Sequence, residues 1–166
     1  MLIVLIGKSA SGKTTLAKRI KKKFNIDMVV TCTTRPMREG EEQGVDYNFL
    51  TYEEALDGIR KGEFIEYVEY TVHGGDKWIY GTRFKDIDIN KTQVIVLNPL
   101  GYKTVKGLLK DRVFAIELKP FELKRIFRIL KRDRKNLFEA LRRYRADKKD
   151  FKNIQADIVL NSFKFF

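Results

Sequence analysis

Leu2-Ile3-Val4-Leu5-Ile6-Gly7-Lys8-Ser9-Ala10-Ser11-Gly12-Lys13-Thr14-Thr15 is an apolar run that breaks into a G-x-x-x-x-G-K-T loop and continues into a helical pattern over residues 14–20. The order of the three pieces matters more than the string itself. A strand that feeds a glycine-rich turn and then a helix aims successive backbone N–H groups at one point, and a polyphosphate fits there. Gly7 and Gly12 allow torsions and close approach that a Cβ obstructs, Lys13 can reach the β- and γ-phosphates, and the Thr14 hydroxyl can ligate Mg²⁺. The residues expected around the phosphates of ATP are therefore Gly7, Ser9, Ala10, Ser11, Gly12, Lys13, Thr14 and Thr15, with Thr14 as the Mg²⁺ ligand.

Composition bounds the rest. The 166 residues are one domain's worth, and 43% hydrophobic content is ordinary for a globular chain with a real core. No apolar run approaches the roughly 18 residues of a membrane span, and residues 2–6 run straight into the loop without a cleavable leader, so a cytoplasmic protein with no membrane partner is expected. Cys32 is the single cysteine, which excludes an intramolecular disulfide and a thiolate metal cage and leaves a small buried residue as its reading. His73, also alone, sits in a Gly-rich turn and reads as a loop residue rather than a ligand or base.

The formal charge of +12 is the unusual bulk quantity, and most of the excess falls between residues 103 and 149. Such a stripe either tracks a nucleic-acid backbone or concentrates cations on a small polyanion such as ATP. The phosphate loop favours the second, so nucleic acid is not expected as a specific partner. The aromatics of the basic region, Phe121, Phe127, Phe138, Tyr144 and Phe151, fall mostly at helical spacings and are expected in the core rather than on a base-stacking platform. A monomer and a homodimer both remain open.

Along the chain a βα alternation is interrupted once. Residues 28–31 suit a second strand, after which residues 33–50 turn polar, carry Gly40 and Gly44, and end in the strand-like stretch 47–50. Residues 53–61 suit a short helix, 64–72 alternate like a strand, and 73–76 turn back into 77–80. Alternation resumes with a buried-type strand at 93–97, a helix at 100–109 and a strand at 112–118. Pro120 is expected in the first turn of a helix reaching about residue 131, where its missing N–H costs nothing. A charged helix over 136–151 and a strand at 157–160 complete the pattern. Parallel strands joined by helices imply an α/β, doubly wound parallel sheet with a small β-rich insert.

The insert narrows the chemistry. Arg35 and Arg38 lie three residues apart, and Tyr47 and Tyr80 stand on elements able to fold over the same cavity. Two guanidinium groups and two phenols suit a phosphate monoester, whose forked acceptors a lysine cannot match. Glu66, within Phe64-Ile65-Glu66-Tyr67, admits two placements: facing solvent on an alternating strand, or turned inward to accept the N1–H and exocyclic amine of a guanine.

These stretches, taken in order, resemble the guanylate kinase family. The phosphate loop, Thr31-Cys32-Thr33-Thr34-Arg35-Pro36-Met37-Arg38-Glu39-Gly40-Glu41, Gly44-Val45-Asp46-Tyr47-Asn48-Phe49, Phe64-Ile65-Glu66-Tyr67 and Tyr80-Gly81-Thr82 stand in the family's order and approximate spacing over nearly the whole chain. The resemblance implies a P-loop NTPase-type fold in a single domain over 1–166, with core at about 1–32 and 83–166, an NMP-binding insert at about 33–82 and a helical lid at about 128–145. It implies phosphoryl transfer from ATP, with Mg²⁺, to GMP or dGMP. Arg35, Arg38, Tyr47 and Tyr80 would hold the acceptor phosphate, and Thr31, Glu66 and Thr82 would read guanine. The family's two lid arginines are eleven residues apart, a spacing that Arg132 and Arg143 match, with Arg128, Arg134 and Arg142 close by. The catalytic residues would then be Lys13, Arg132 and Arg143, which offset charge on the transferring phosphoryl group, and Arg35, which with Arg38 fixes the attacking acceptor phosphate.

The sequence also departs from that family. Val96-Leu97-Asn98-Pro99-Leu100-Gly101 stands where an Asp-x-Asp-x-Gln-Gly segment is usual, so both acidic positions are lost. The hairpin over 71–79 is longer than usual. The sequence ends at Phe166 soon after the last strand, without the family's final helix, and Phe163, Phe165 and Phe166 are expected to pack on the sheet or at an oligomer contact. A different acceptor on the same fold, another nucleoside monophosphate or a phosphorylated ribose, is the alternative; a base-free ribose leaves Glu66 nothing to recognise. A noncatalytic binding module is disfavoured by the intact Gly12, Lys13 and Thr14.

Overall fold

The computed structural model describes residues 1–72, 74–132, 144–145, 147, 150–151 and 154–161. His73, Arg134, Phe138, Arg142, Arg143, Phe163, Phe165 and Phe166 lie outside the described residues, as do the side chain of Arg132 and most of the expected lid and 136–151 helix.

The apolar run forms strand β1 (Leu2–Gly7), the centre of a five-stranded sheet. The helix after the loop is α1 (Lys13–Phe24), whose Leu16, Ala17 and Ile20 are buried and which stops at Asn25 in the left-handed region, φ 55°. Asn tolerates that conformation better than a branched residue and closes the helix. The other strands of this sheet are β2 (Asp27–Met28), β7 (Gln93–Val96), β8 (Val113–Leu118) and β9 (Ile158–Leu160), in the order β2-β7-β1-β8-β9. All four neighbouring pairs are parallel.

Parallel strands need crossovers, and helices α1 and α3 (Pro99–Leu109) supply them. They cover opposite faces. Leu2, Val4, Ile6 and Ile95 pack with Tyr102 and Val105 of α3, whereas Leu5 and Val94 pack with Leu16, Ala17 and Ile20 of α1. Burial on both faces is why β1 reads as a continuous apolar run rather than an alternating one. This is the doubly wound arrangement expected from the sequence.

The polar interruption folds as a second sheet. Strands β3 (Cys32–Thr33), β4 (Asn48–Phe49), β5 (Phe64–Thr71) and β6 (Lys77–Arg83) take the order β4-β3-β6-β5. Helix α2 (Tyr52–Arg60) begins at Thr51 with a capping box: the Thr51 hydroxyl accepts from Glu54 N–H and the Glu54 carboxylate accepts from Thr51 N–H. Cys32 is buried and unpaired, as its size suggests.

Two expectations need correction. Helix α4 (Glu122–Arg132) starts two residues after Pro120, because Lys119 N–H donates to Leu160 O and holds the chain extended up to that point. Phe121 and Phe127 are not in the core, being 78% and 68% exposed. The buried stripe of α4 is instead Arg125 and Ile129, which turns the phenylalanines away from the sheet.

The face under α3 generates a stability test. Ile95 is fully enclosed between β1 and the crossover helix. Ile95→Ala is expected to cost roughly 3–4 kcal/mol, the lost transfer energy plus an unfilled cavity, read as a shift in urea midpoint at constant slope. A change under about 1 kcal/mol would show that this face is not the core.

Candidate functional site

Gly7 ends β1 opposite Leu118 of β8 and has no room for a side chain: a Cβ there would lie 2.7 Å from Leu118 O and 2.7 Å from Ser11 Oγ. The chain then turns through Ala10 at φ 59° and Gly12 at φ 99°, and α1 begins at Lys13. A non-glycine residue in the left-handed region stores strain of about 1 kcal/mol or more, so the loop is held in its cradle shape by its surroundings. Lys13 Nζ donates to Gly7 O at 2.6 Å and Lys8 O at 3.1 Å, which parks the ammonium across the mouth of the loop.

This loop opens into a cleft of about 780 Å³ lined by Gly7, Ser9, Ala10, Gly12, Lys13, Thr14 and Thr15. Ser11 behaves differently. Its side chain is buried beneath the loop, and its hydroxyl has no hydrogen-bond partner among the described residues.

Beyond the loop, a charge cluster ties the C-terminal part of the chain to it. Ser9 N–H donates to both Asp147 oxygens, at 3.1 and 3.0 Å, and Arg125 Nη1 donates to Asp147 Oδ2 at 2.7 Å. Arg125, only 1% exposed, also forms a fork on Glu122, at 3.1 and 2.8 Å, and lies 5.0 Å from the Tyr144 ring centroid. Burial works against its charge, yet the carboxylates of Glu122 and Asp147 outweigh that and hold its pKa above the usual value. Arg128 Nη1 reaches Ala10 O at 3.4 Å, so a second α4 guanidinium lies against the loop and lines the cleft.

The far wall of the same cleft is made by the second sheet. Arg35, Arg38, Tyr47 and Tyr80 all line it, together with Thr31, Glu41 and Tyr70, and Arg19 of α1 lines the cleft as well. Arg35 is buried and its guanidinium stands over two rings, 5.0 Å from the Tyr47 centroid and 5.5 Å from that of Phe49. Tyr80 packs edge-on against both Tyr47 and Tyr70. Burial pushes the Tyr47 phenol pKa up, so this hydroxyl keeps its proton and acts as a donor at neutral pH.

Glu66 takes the inward placement. It is 6% exposed, and a bulge between Phe64 and Glu66 puts Ile65 and Glu66 on the buried side in succession. Oε1 accepts from the Thr82 hydroxyl at 2.6 Å, and Oε2 has no partner among the described residues. Burial pushes the carboxyl pKa up to about 7, with the Thr82 bond opposing the rise. Room for the carboxylate comes from Gly101, where a Cβ would sit 2.5 Å from Oε2. Asn98, the cap of α3, accepts from Gly101 N–H at 2.8 Å and so fixes that turn.

The fold therefore gathers the loop residues and Thr31, Arg35, Arg38, Tyr47, Glu66 and Tyr80 around one cleft, while Thr82 reaches it through Glu66. Glu41, Arg19, Tyr70, Gly101 and Asp147 are site residues that sequence reasoning missed. Glu41 had a signal: an acid three residues after Arg38 in a glycine turn. The Asp147 contact with Ser9 spans 138 residues and had none. Among the described residues no three His, Cys, Asp or Glu side chains form a metal cage. Thr14 at the mouth of the loop fits Mg²⁺ nonetheless, since that ion takes few protein ligands and fills its shell with water and phosphate oxygens. No helix among the described residues is long and apolar enough to cross a membrane.

Comparison with known proteins agrees with this geometry. The profile of the guanylate kinase family matches residues 1–163. The chain is 39% identical over 136 residues to a guanylate kinase of Thermotoga maritima, covering 79% of this chain and 63% of the relative. It is 33% identical over 156 residues to one of Clostridium tetani and 35% over 157 to one of Clostridium perfringens, each match covering 90% of this chain. It spans 72% and 69% of those two proteins, and so falls short of the full length of all three. The fold is shared with the crystal structure of a guanylate kinase from Anaplasma phagocytophilum, TM-score 0.65 over 97% of this chain and 75% of that one at 24% identity. The chain belongs to the guanylate kinase family.

Proposed function

We propose that this protein transfers the γ-phosphoryl group of ATP to GMP or dGMP, yielding the corresponding diphosphate, with Mg²⁺ as the accompanying ion. The observation that carries the reading is Glu66: a buried carboxylate oxygen with no donor among the described residues, on the wall that faces a phosphate loop across one cleft. An unpartnered buried carboxylate is costly, and a base presenting an N1–H beside an amine removes that cost on binding. A ribose phosphate has no such donors.

The roles then follow from charge. Arg35 and Arg38, with the Tyr47 and Tyr80 hydroxyls, take the acceptor phosphate, and Thr31 and Thr82 complete the base pocket around Glu66. An acceptor phosphate oxygen is already largely deprotonated at neutral pH, so the protein needs alignment rather than a general base. Lys13 leaves its carbonyl partners to meet the β- and γ-phosphates, and the loop N–H groups of Gly12, Lys13 and Thr14 hold them. Thr14 would hold Mg²⁺, which would supply further neutralisation of the phosphate charge. Arg132 and Arg143 remain the proposed lid pair, and Arg128, already against Ala10 O, is a further guanidinium on the donor side. The catalytic gain comes from holding acceptor oxygen and donor phosphorus in line and from placing positive groups where charge develops.

A coupled assay of ADP release from Mg-ATP with GMP, dGMP, AMP, CMP and UMP tests the reaction. GMP and dGMP should be the preferred acceptors, Lys13→Ala should lower turnover on the order of 10³-fold, and Glu66→Gln should raise the KM for GMP at least about tenfold while leaving that for ATP in place. Folded protein with no turnover of any monophosphate would overturn the proposal, and equal use of AMP and GMP would remove the guanine role of Glu66.

A pH dependence follows from the raised carboxyl. Bound guanine stabilises ionised Glu66, so binding must expel a proton when the pH is below about 7. Affinity for GMP should rise as pH increases from about 5.5 and level off above about 7, approaching tenfold per unit at the steepest. The acceptor phosphate titrates near pH 6 as well, and Glu66→Gln isolates that contribution. Identical profiles in wild type and Glu66→Gln, measured by calorimetry in two buffers of different ionisation heat, would contradict the coupling.

A further inference from the structure

Arg35 does not point a free guanidinium into the cleft. Its Nη1 donates to Glu41 Oε2 at 2.7 Å and to Pro36 O at 2.8 Å, and its Nη2 donates to Glu41 Oε1 at 2.6 Å. The same Glu41 Oε2 accepts from Arg38 N–H at 2.9 Å. One carboxylate therefore binds the side chain of one acceptor-side arginine and the backbone of the other. Burial lifts the Glu41 pKa, but the Arg35 and Arg38 hydrogen bonds outweigh it and keep the group ionised at neutral pH.

A guanidinium carries five N–H bonds in one plane, in fixed directions. Glu41 takes the two that point forward between Nη1 and Nη2, and Pro36 O takes the outer N–H of Nη1. What remains is the Nε–H and the outer N–H of Nη2, which lie parallel along one edge. No described residue accepts either. The group also stands over the Tyr47 and Phe49 rings, at 5.0 and 5.5 Å from their centroids.

We propose that Glu41 is a positioning residue for the acceptor: by occupying the forward edge of Arg35 while anchoring the backbone at Arg38, it leaves a single side-on fork, Nε–H with Nη2–H, for two oxygens of a phosphate monoester. This rests on the acceptor-side reading above and deepens it. The fork fixes the roll of the phosphate as well as its position, which decides which oxygen faces the donor. Elementary electrostatics gives the opposite expectation for Glu41. A negative group beside a dianion repels it, so removing the charge should tighten acceptor binding.

The two expectations differ in sign, and Glu41→Gln separates them. The amide keeps one acceptor but presents an NH₂ to Arg35, so the fork loses its fixed edge. In steady-state assays of Mg-ATP with GMP, Glu41→Gln should raise the acceptor KM about tenfold or more with the ATP KM unchanged within about twofold. Glu41→Asp, which keeps the charge but draws it back by one methylene, should fall between wild type and Glu41→Gln. An acceptor KM that is unchanged or lower in Glu41→Gln, or a parallel rise in both KM values, overturns the positioning role. If Glu41→Gln does not fold, Glu41→Asp decides alone: a raised acceptor KM with an unmoved ATP KM supports the role, and an unmoved acceptor KM overturns it. Wild-type turnover of GMP is the control that keeps the inferences apart. Its absence overturns the proposed function and this role together, whereas its presence with an unmoved variant overturns the role of Glu41 alone.

Discussion

Strand β1 is hydrogen-bonded along both edges, to β7 from Leu2 to Leu5 and to β8 from Leu2 to Gly7, and this double pairing fixes where the chain leaves the sheet. A phosphate loop cannot be built on a strand that slides. Burial of Val4, Leu5 and Ile6 on the two faces makes a register slip costly, because each of these side chains would exchange one enclosed environment for the other. The absence of a Cβ at Gly7 then lets the backbone pass where a side-chain carbon would lie 2.7 Å from Leu118 O. The direction of the loop amides, and with it the position of the donor half of the cleft, follows from that one exit.

Around this fixed point the buried charges come in compensated sets. Arg125 is closed by Glu122 and Asp147, and Arg35 by Glu41. In both cases the partner is also bonded to a backbone N–H of a loop, Ser9 in the first and Arg38 in the second. The ion pairs thus do more than cancel desolvation: they tie a guanidinium to the loop it serves. Glu66 breaks the rule, with one oxygen satisfied by Thr82 and the other without a partner among the described residues. A compensated charge can belong to the apoprotein alone, whereas an uncompensated one gains from a ligand, and that asymmetry separates the residues that organise the cleft from the one proposed to read its contents.

Much of this was legible in the sequence because the constraints are local. The loop, its strand and its helix fall within residues 2–24, and α2, found at Tyr52–Arg60, shows as the short helical pattern over 53–61. Where a contact joined distant residues, the sequence fell silent. Alternation along β5 could not decide between the two placements of Glu66, because a bulge at its start resets the count and buries Ile65 and Glu66 together. Phe121 and Phe127 looked like core because hydrophobic spacing says which residues share a helix face and not which face is turned inward. On α4 the inward face was chosen by Arg125, through a carboxylate 22 residues away. The end of β8 shows the same limit, since Pro120 is a plausible helix opener until Lys119 is seen bonded to β9.

The neutral segment at positions 96–101 acquires a physical meaning in this setting. Asn98 caps α3 through its side-chain oxygen, as an aspartate there would, but without the charge. Two carboxylates at 96 and 98 would stand on the rim that Glu66 occupies and would drive its pKa still higher by repulsion. They would also neutralise the positive end of α3, which begins one turn from the Glu66 carboxylate through Gly101. With Val96 and Asn98 in their place, the end of α3 is capped by an amide that adds no charge, and the Thr82 hydroxyl is the group that favours the ionised form of Glu66. Burial pulls the carboxyl toward neutrality and the Thr82 hydrogen bond pulls it back, which leaves Glu66 near its midpoint at neutral pH; in the proposed reading, two N–H donors from the base would shift it to the charged state.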